Sequence, residues 1–301
     1  MAQVTSLKPS VVQALAFLSL SIMMLNNNVQ MQQGRPPAAQ QQQQFEQMYE
    51  SSEEEGFGCG GGNSDEEVDY TGKLINDSTV PAYVRGQFIQ KVYTILVIQL
   101  FITAAIAFPF TTMKADFLRQ NMWLFYVGSY GSLLMVICVT CCCNQIIRTF
   151  PYNYMFLFTF TVLEAVTIGF FSAMYTTSSI ILAAGITAFM FIGLSLYACF
   201  TKTDYTGCGP YLFVLLLGLC LTGFTIGMAQ WIFGYSRILE IVYASIGAII
   251  FSMYIVYDTQ RIVGGRGRQF SVDDYVLAAL ELYLDIINLF IYILAIFGER
   301  R

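Results

Sequence analysis

Hydrophobic residues along this chain fall into seven long blocks separated by polar breaks: 92–110, 122–143, 154–175, 179–200, 211–233, 238–257 and 276–297. Each block is near the roughly 20 residues that an α-helix needs to cross the hydrocarbon core of a bilayer. Apart from 258–275 the breaks are short, so successive helices must run antiparallel with no extramembrane domain between them. The pattern predicts an all-α integral membrane bundle of about seven transmembrane helices over residues 81–301. Ala244, Ala248 and Ser252 share one ridge of the sixth block. Small side chains on a ridge let helices approach closely, though ordinary lipid-facing alanine reads the same way.

Residues 1–80 have a different texture. An apolar run at 11–25 (VVQALAFLSLSIMML) follows the single Lys8 and reads as a signal-peptide core, a short amphipathic anchor or a targeting segment. After it come a glutamine tract (Gln40–Gln44) and an acidic, glycine-rich stretch through Asp69. Residues 26–80 offer too little apolar surface to offset the entropy of ordering, so residues 1–80 are expected to be a disordered, low-complexity, acidic tail.

Composition agrees with the pattern: 56% of the 301 residues are hydrophobic and only 12% charged, against roughly 25% charged in soluble domains. The net charge of −5 belongs mainly to the tail, because from position 81 onward 12 Lys/Arg stand against 10 Asp/Glu. No basic patch suggests nucleic acid. The absence of histidine removes the usual general base and zinc ligand, so any chemistry rests on carboxylates; neither an enzyme nor a cofactor is expected. The eight cysteines do not form a secreted disulfide framework, since Cys138, Cys199 and Cys220 lie in apolar blocks. Cys141, Cys142 and Cys143, contiguous at a membrane boundary, are candidates for lipidation or inert thiols.

Basic residues near block ends set orientation. With the tail in the cytosol, that side holds Arg85, Lys91, Arg148, Lys202, Arg261, Arg266 and Arg268, against Lys114, Arg119 and Arg237 opposite, seven to three. A full seventh span puts Arg300 and Arg301 on the far side and narrows the count to seven to five; a re-entrant one widens it to nine to three. The N-terminus is expected to be cytosolic, which keeps the Asn76–Asp77–Ser78 sequon from glycosylation.

Ionisable side chains inside spans are functional candidates by default. Four stand out: Glu164 midway along the third block, Asp258 at the end of the sixth, and Glu281 and Asp285 in the seventh. Glu281, Asp285, Asn288 and Tyr292 follow spacings of four, three and four, which puts them on one helical face turned to the bundle interior. With Glu164 they form a pore-facing polar set. No Lys or Arg lies centrally in any span, so Arg148 and Arg261 near the cytosolic ends are the nearest salt-bridge partners. Asp258 and Asp285 could share one proton and titrate as a coupled pair. Protonated, such a pair closes; ionised, it repels or binds a hard cation such as Ca²⁺ through oxygen. Depth stands against the pairing, because these boundaries put Asp285 about 13 Å deeper than Asp258 at 1.5 Å per residue. Separately hydrated carboxylates at a cavity mouth are the alternative.

Glu240–Ser245 (EIVYAS), Tyr257-Asp258-Thr-Gln, Asp274–Ala279 (DYVLAA) and Leu284-Asp285-Ile-Ile-Asn288-Leu-Phe resemble the lifeguard branch of the transmembrane Bax inhibitor motif family. The likeness covers roughly 82–301 and includes Arg148–Pro151 and Leu163-Glu164-Ala. It implies a seven-helix bundle in endoplasmic reticulum, Golgi or plasma membrane that lowers stored Ca²⁺ through a pH-sensitive leak and restrains cell death. It also implies that Asp258 and Asp285 gate that leak. An arginine in the second span latches the aspartates in a bacterial relative; residues 122–143 contain no Arg or Lys, and this chain departs from the family there. Intramembrane aspartyl proteolysis fits poorly, because Leu282-Tyr-Leu-Asp285 stands where Gly-x-Gly-Asp would be needed. The rival reading is a non-conducting adaptor that regulates cell death through membrane protein partners, the other expected partners being the lipid bilayer, Ca²⁺ and protons.

Overall fold

The computed structural model describes residues 82–113, 115–141, 149–233, 236–264, 270 and 274–301. The expected tail, the apolar run at 11–25, Arg148, Cys142 and Cys143 lie outside these residues, and of Cys141 only its place at a helix end is described.

Eight α-helices occur in the described residues, α1 (Ala82–Thr112), the short α2 (Ala115–Gln120), α3 (Met122–Cys141), α4 (Tyr152–Ser172), α5 (Thr177–Phe200), α6 (Gly209–Phe233), α7 (Arg237–Val263) and α8 (Tyr275–Phe297), with one 3-10 turn (Thr206–Cys208) before α6. Six are long and apolar enough to cross a membrane, and α3 carries a shorter apolar stretch, Met122–Cys138. The polar breaks end the helices because backbone left unpaired in hydrocarbon is costly, whereas in water it is not. Several hydroxyls inside the spans are satisfied locally: Thr161, Thr187, Ser245 and Ser252 each donate to a carbonyl one turn back.

α8 sits at the centre, packed on α7, α1, α5 and α4, with almost every side chain buried; α3 lies outside on α4 and α6 outside on α7. The outer faces carry large exposed apolar groups such as Phe101, Leu134, Phe189, Val214 and Ile249, the surface that lipid tails cover. Close packing between α7 and α8 rests on Gly247, where an added Cβ would fall 2.6 Å from the Tyr292 ring.

One expectation changes, and of two alternatives the sequence leaves open one remains. The sixth span does not stop at 257 but runs to Val263, where Gly264 at φ 99° closes it in the left-handed conformation. Asp258 is therefore an internal helical residue, and the depth mismatch with Asp285 disappears. The seventh span is a complete crossing. Near its start Tyr275 meets Asn153 and Lys91, whereas beyond its end Arg301 reaches Thr111 at the far end of α1. Residues 299–301 are tied down there: Thr176 N–H donates to Glu299 O (3.0 Å), Arg301 N–H to Met174 O (2.9 Å), and Arg300 pairs with Glu240. Burial pushes the Tyr175 phenol up in this corner, and the nearby Arg300 opposes it.

Candidate functional site

Extending α7 through Asp258–Val263 brings Arg261 into the bundle one turn beyond Asp258, and both are buried. Arg261 Nη1 donates to Asp258 Oδ1 at 3.0 Å and, across the helix interface, to Glu281 Oε2 of α8. The guanidinium lies 4.0 Å from the ring centroid of fully buried Phe270 and 5.4 Å from that of Tyr257. Aromatic faces attract a desolvated cation, so the stack helps to hold Arg261 in place. Arg261, expected from the sequence as a partner near the cytosolic end, thus pairs from inside the helix rather than from beyond its end. A charge compensated within one turn does not end a helix, and this one continues past the point where apolar residues give out.

Asp285 lies one turn after Glu281 on α8 and is wholly buried. Among the described residues neither of its oxygens receives a hydrogen bond from a donor group, and Asp258 Oδ2 lacks one as well. The two carboxyls instead lie against each other within side-chain hydrogen-bonding reach. Two buried acceptors in contact need a proton between them, since bare carboxylates in a low-dielectric interior repel and lose their hydration. Among the described residues three carboxyls, Asp258, Glu281 and Asp285, face a single guanidinium, which leaves two negative charges uncompensated if all ionise. Two protons or a divalent cation would balance them. No group of three or more His, Cys, Asp or Glu is arranged to hold a metal among the described residues.

The rest of the acidic stripe meets other neighbours. Asn288 donates to its own helix at Leu284 O (2.7 Å), while the Tyr292 ring fills the Gly247 notch beside Tyr243 and Phe251. Glu164 belongs to a second polar group: it lies beside Ser132, whose hydroxyl donates to Ser129 O at 3.2 Å, and near Tyr283, whose hydroxyl is 2.8 Å from Thr103 Oγ1. Gln99 donates to Thr161 at 3.1 Å beside it. Sequence reasoning passed over Tyr254, which stands beside both aspartates; its position one turn before Asp258 was a usable signal.

The fold and this site define a class: a multi-pass α-helical membrane protein built around one central helix, with an acid and guanidinium cluster sealed between α7 and α8. Residues 85–301 match the family model "Inhibitor of apoptosis-promoting Bax1", and the chain belongs to that Bax inhibitor family. It is 36% identical to human Protein lifeguard 3 over 252 residues, covering 81% of this chain and 79% of that protein. Mouse Protein lifeguard 3 is 37% identical over 219 residues, 72% of this chain and 70% of its own. Mouse Protein lifeguard 4 is 33% identical over 232 residues, 76% and 91% respectively. The family name associates these membrane proteins with the regulation of cell death.

Proposed function

We propose that this chain is a pH-sensitive Ca²⁺ leak of an internal membrane, endoplasmic reticulum or Golgi, that sets stored calcium and thereby restrains cell death. The observation that supports it is the contact between Asp258 and Asp285, buried carboxyls whose facing oxygens meet no donor group among the described residues. Arg261 holds Asp258 from within α7 and supplies the guanidinium that α3 lacks.

With the proton in place, α7 and α8 stay drawn together. Removing it as pH rises leaves two like charges in contact, which separate or admit a hard cation between their oxygens. The leak therefore increases with pH. Flux into dye-loaded liposomes from about pH 6 to 8 tests this: Asp258→Asn and Asp285→Asn each flatten the profile, and Glu164→Gln, outside the pair, changes it less. An unchanged profile in both aspartate variants, with the protein folded, removes the gate. No flux at any pH leaves the non-conducting adaptor.

A further inference from the structure

On the side of α8 that looks toward α1 and α5, the two outer helices stand apart and leave a cavity of about 470 Å³. Ala104 and Ala107 on α1 and Ala184 and Ala188 on α5 open space between larger wall residues such as Phe108 and Phe191, and Ile287 and Phe290 of α8 form its floor. The volume is in the range of small-molecule sites, about 300–1,000 Å³, but the lining is almost wholly apolar. Along α1 the cavity extends from Thr111 to Leu100. At 1.5 Å per residue that is about 16 Å, close to the roughly 15 Å of hydrocarbon in one leaflet.

The end at Thr111 carries a cation. Arg301 Nη1 donates to Thr111 O at 2.7 Å and Nη2 to Thr177 Oγ1 at 3.0 Å, both from residues that line the cavity. These partners are neutral and the arginine is exposed. Its neighbour Arg300 pairs with Glu240, whereas Arg301 has no Asp or Glu side chain as a partner among the described residues. An apolar slot one leaflet deep, with a guanidinium at its interfacial end, is complementary to a molecule with a phosphate on a hydrocarbon chain. The apolar run at 11–25 matches the slot less well, because it has no carboxylate and its nearest charge, Lys8, has the same sign as Arg301.

We infer that this groove is a phospholipid site that takes one acyl chain between α1 and α5 and seats the phosphate on Arg301. The test uses full-length protein in nanodiscs doped with phosphatidic acid or diacylglycerol, each with a photoactivatable diazirine in mid-chain. After irradiation the adducts are mapped by peptide mass spectrometry. Adducts are expected to concentrate on 100–111 and 177–192, with phosphatidic acid exceeding diacylglycerol by about tenfold, as for a charged hydrogen bond. Arg301→Gln erases that difference and Arg301→Lys keeps it; Ala188→Phe fills the slot and removes both sets of adducts. Labelling spread evenly to outer positions away from the groove, such as Leu134, Val214 and Ile249, and insensitive to these variants, would mean annular lipid only and overturn the inference. So would groove labelling that appears only after deletion of residues 1–80, which would make the chain's own segment the occupant.

Discussion

Replacing Arg261 by methionine tests the buried cluster directly. The substitution keeps an unbranched apolar stem but removes the donor to Asp258 and Glu281, side chains that are 0% and 1% exposed. Breaking a buried ion pair from one side costs about 3–5 kcal/mol, because the remaining charge has neither partner nor water. At 2–4 °C per kcal/mol for a bundle of this size, the midpoint of thermal unfolding should fall by roughly 6–20 °C. Removing the partner as well, in Arg261→Met/Glu281→Leu, should recover part of the loss, since replacing a buried pair by apolar groups is often neutral. The assay is thermal unfolding in detergent followed by a thiol-reactive dye, in which buried Cys220 becomes reactive as the bundle opens while exposed Cys138 and Cys199 react from the start. An unchanged midpoint in Arg261→Met, or a double variant weaker than the single one, would refute the cluster as described.

Gly247→Ala should destabilise by about 1–3 kcal/mol, because its Cβ meets the Tyr292 ring at 2.6 Å and Phe251 and Tyr243 flank that ring; the same unfolding assay reads it. Gly193→Ala on α5, with nothing within 4 Å of the new atom, should instead leave stability unchanged or raise it by up to about 1 kcal/mol. Seven crossings put tags before residue 82 and after Arg301 on opposite sides, which protease protection of sealed vesicles checks. With the tail cytosolic, Asn76 remains unglycosylated in eukaryotic membranes, and a glycan there would invert the orientation.

The crossings were legible because each is an unbroken apolar block, and nothing in a soluble fold makes seven of them. Block ends were less so. Hydropathy fails at Asp258, yet the helix continues five residues because Arg261 compensates that charge; the real stop is Gly264, a signal of backbone geometry that hydropathy does not register. The period of α8 correctly put Glu281, Asp285, Asn288 and Tyr292 on one inward face. It could not show that this face meets acids and a guanidinium at one end and a glycine notch at the other, because the register of α7 against α8 is set by packing. Arg261 was recognisable as a partner from its three-residue spacing to Asp258, but its bond to Glu281 twenty residues away depends on that same register.

The placement of α8 also bears on biogenesis. The helix around which the others gather is made after all of them, so α1 to α7 enter the bilayer without the element that fills their middle. Until it arrives, Ile255 and Phe251 of α7 lack their inner neighbours and Arg261 has Asp258 but not Glu281 as a charged partner. A chain stalled at that stage holds a paired but uncovered polar surface inside the membrane, the kind of defect that intramembrane quality control can detect, and Glu281 arrives in the same stroke that closes the bundle.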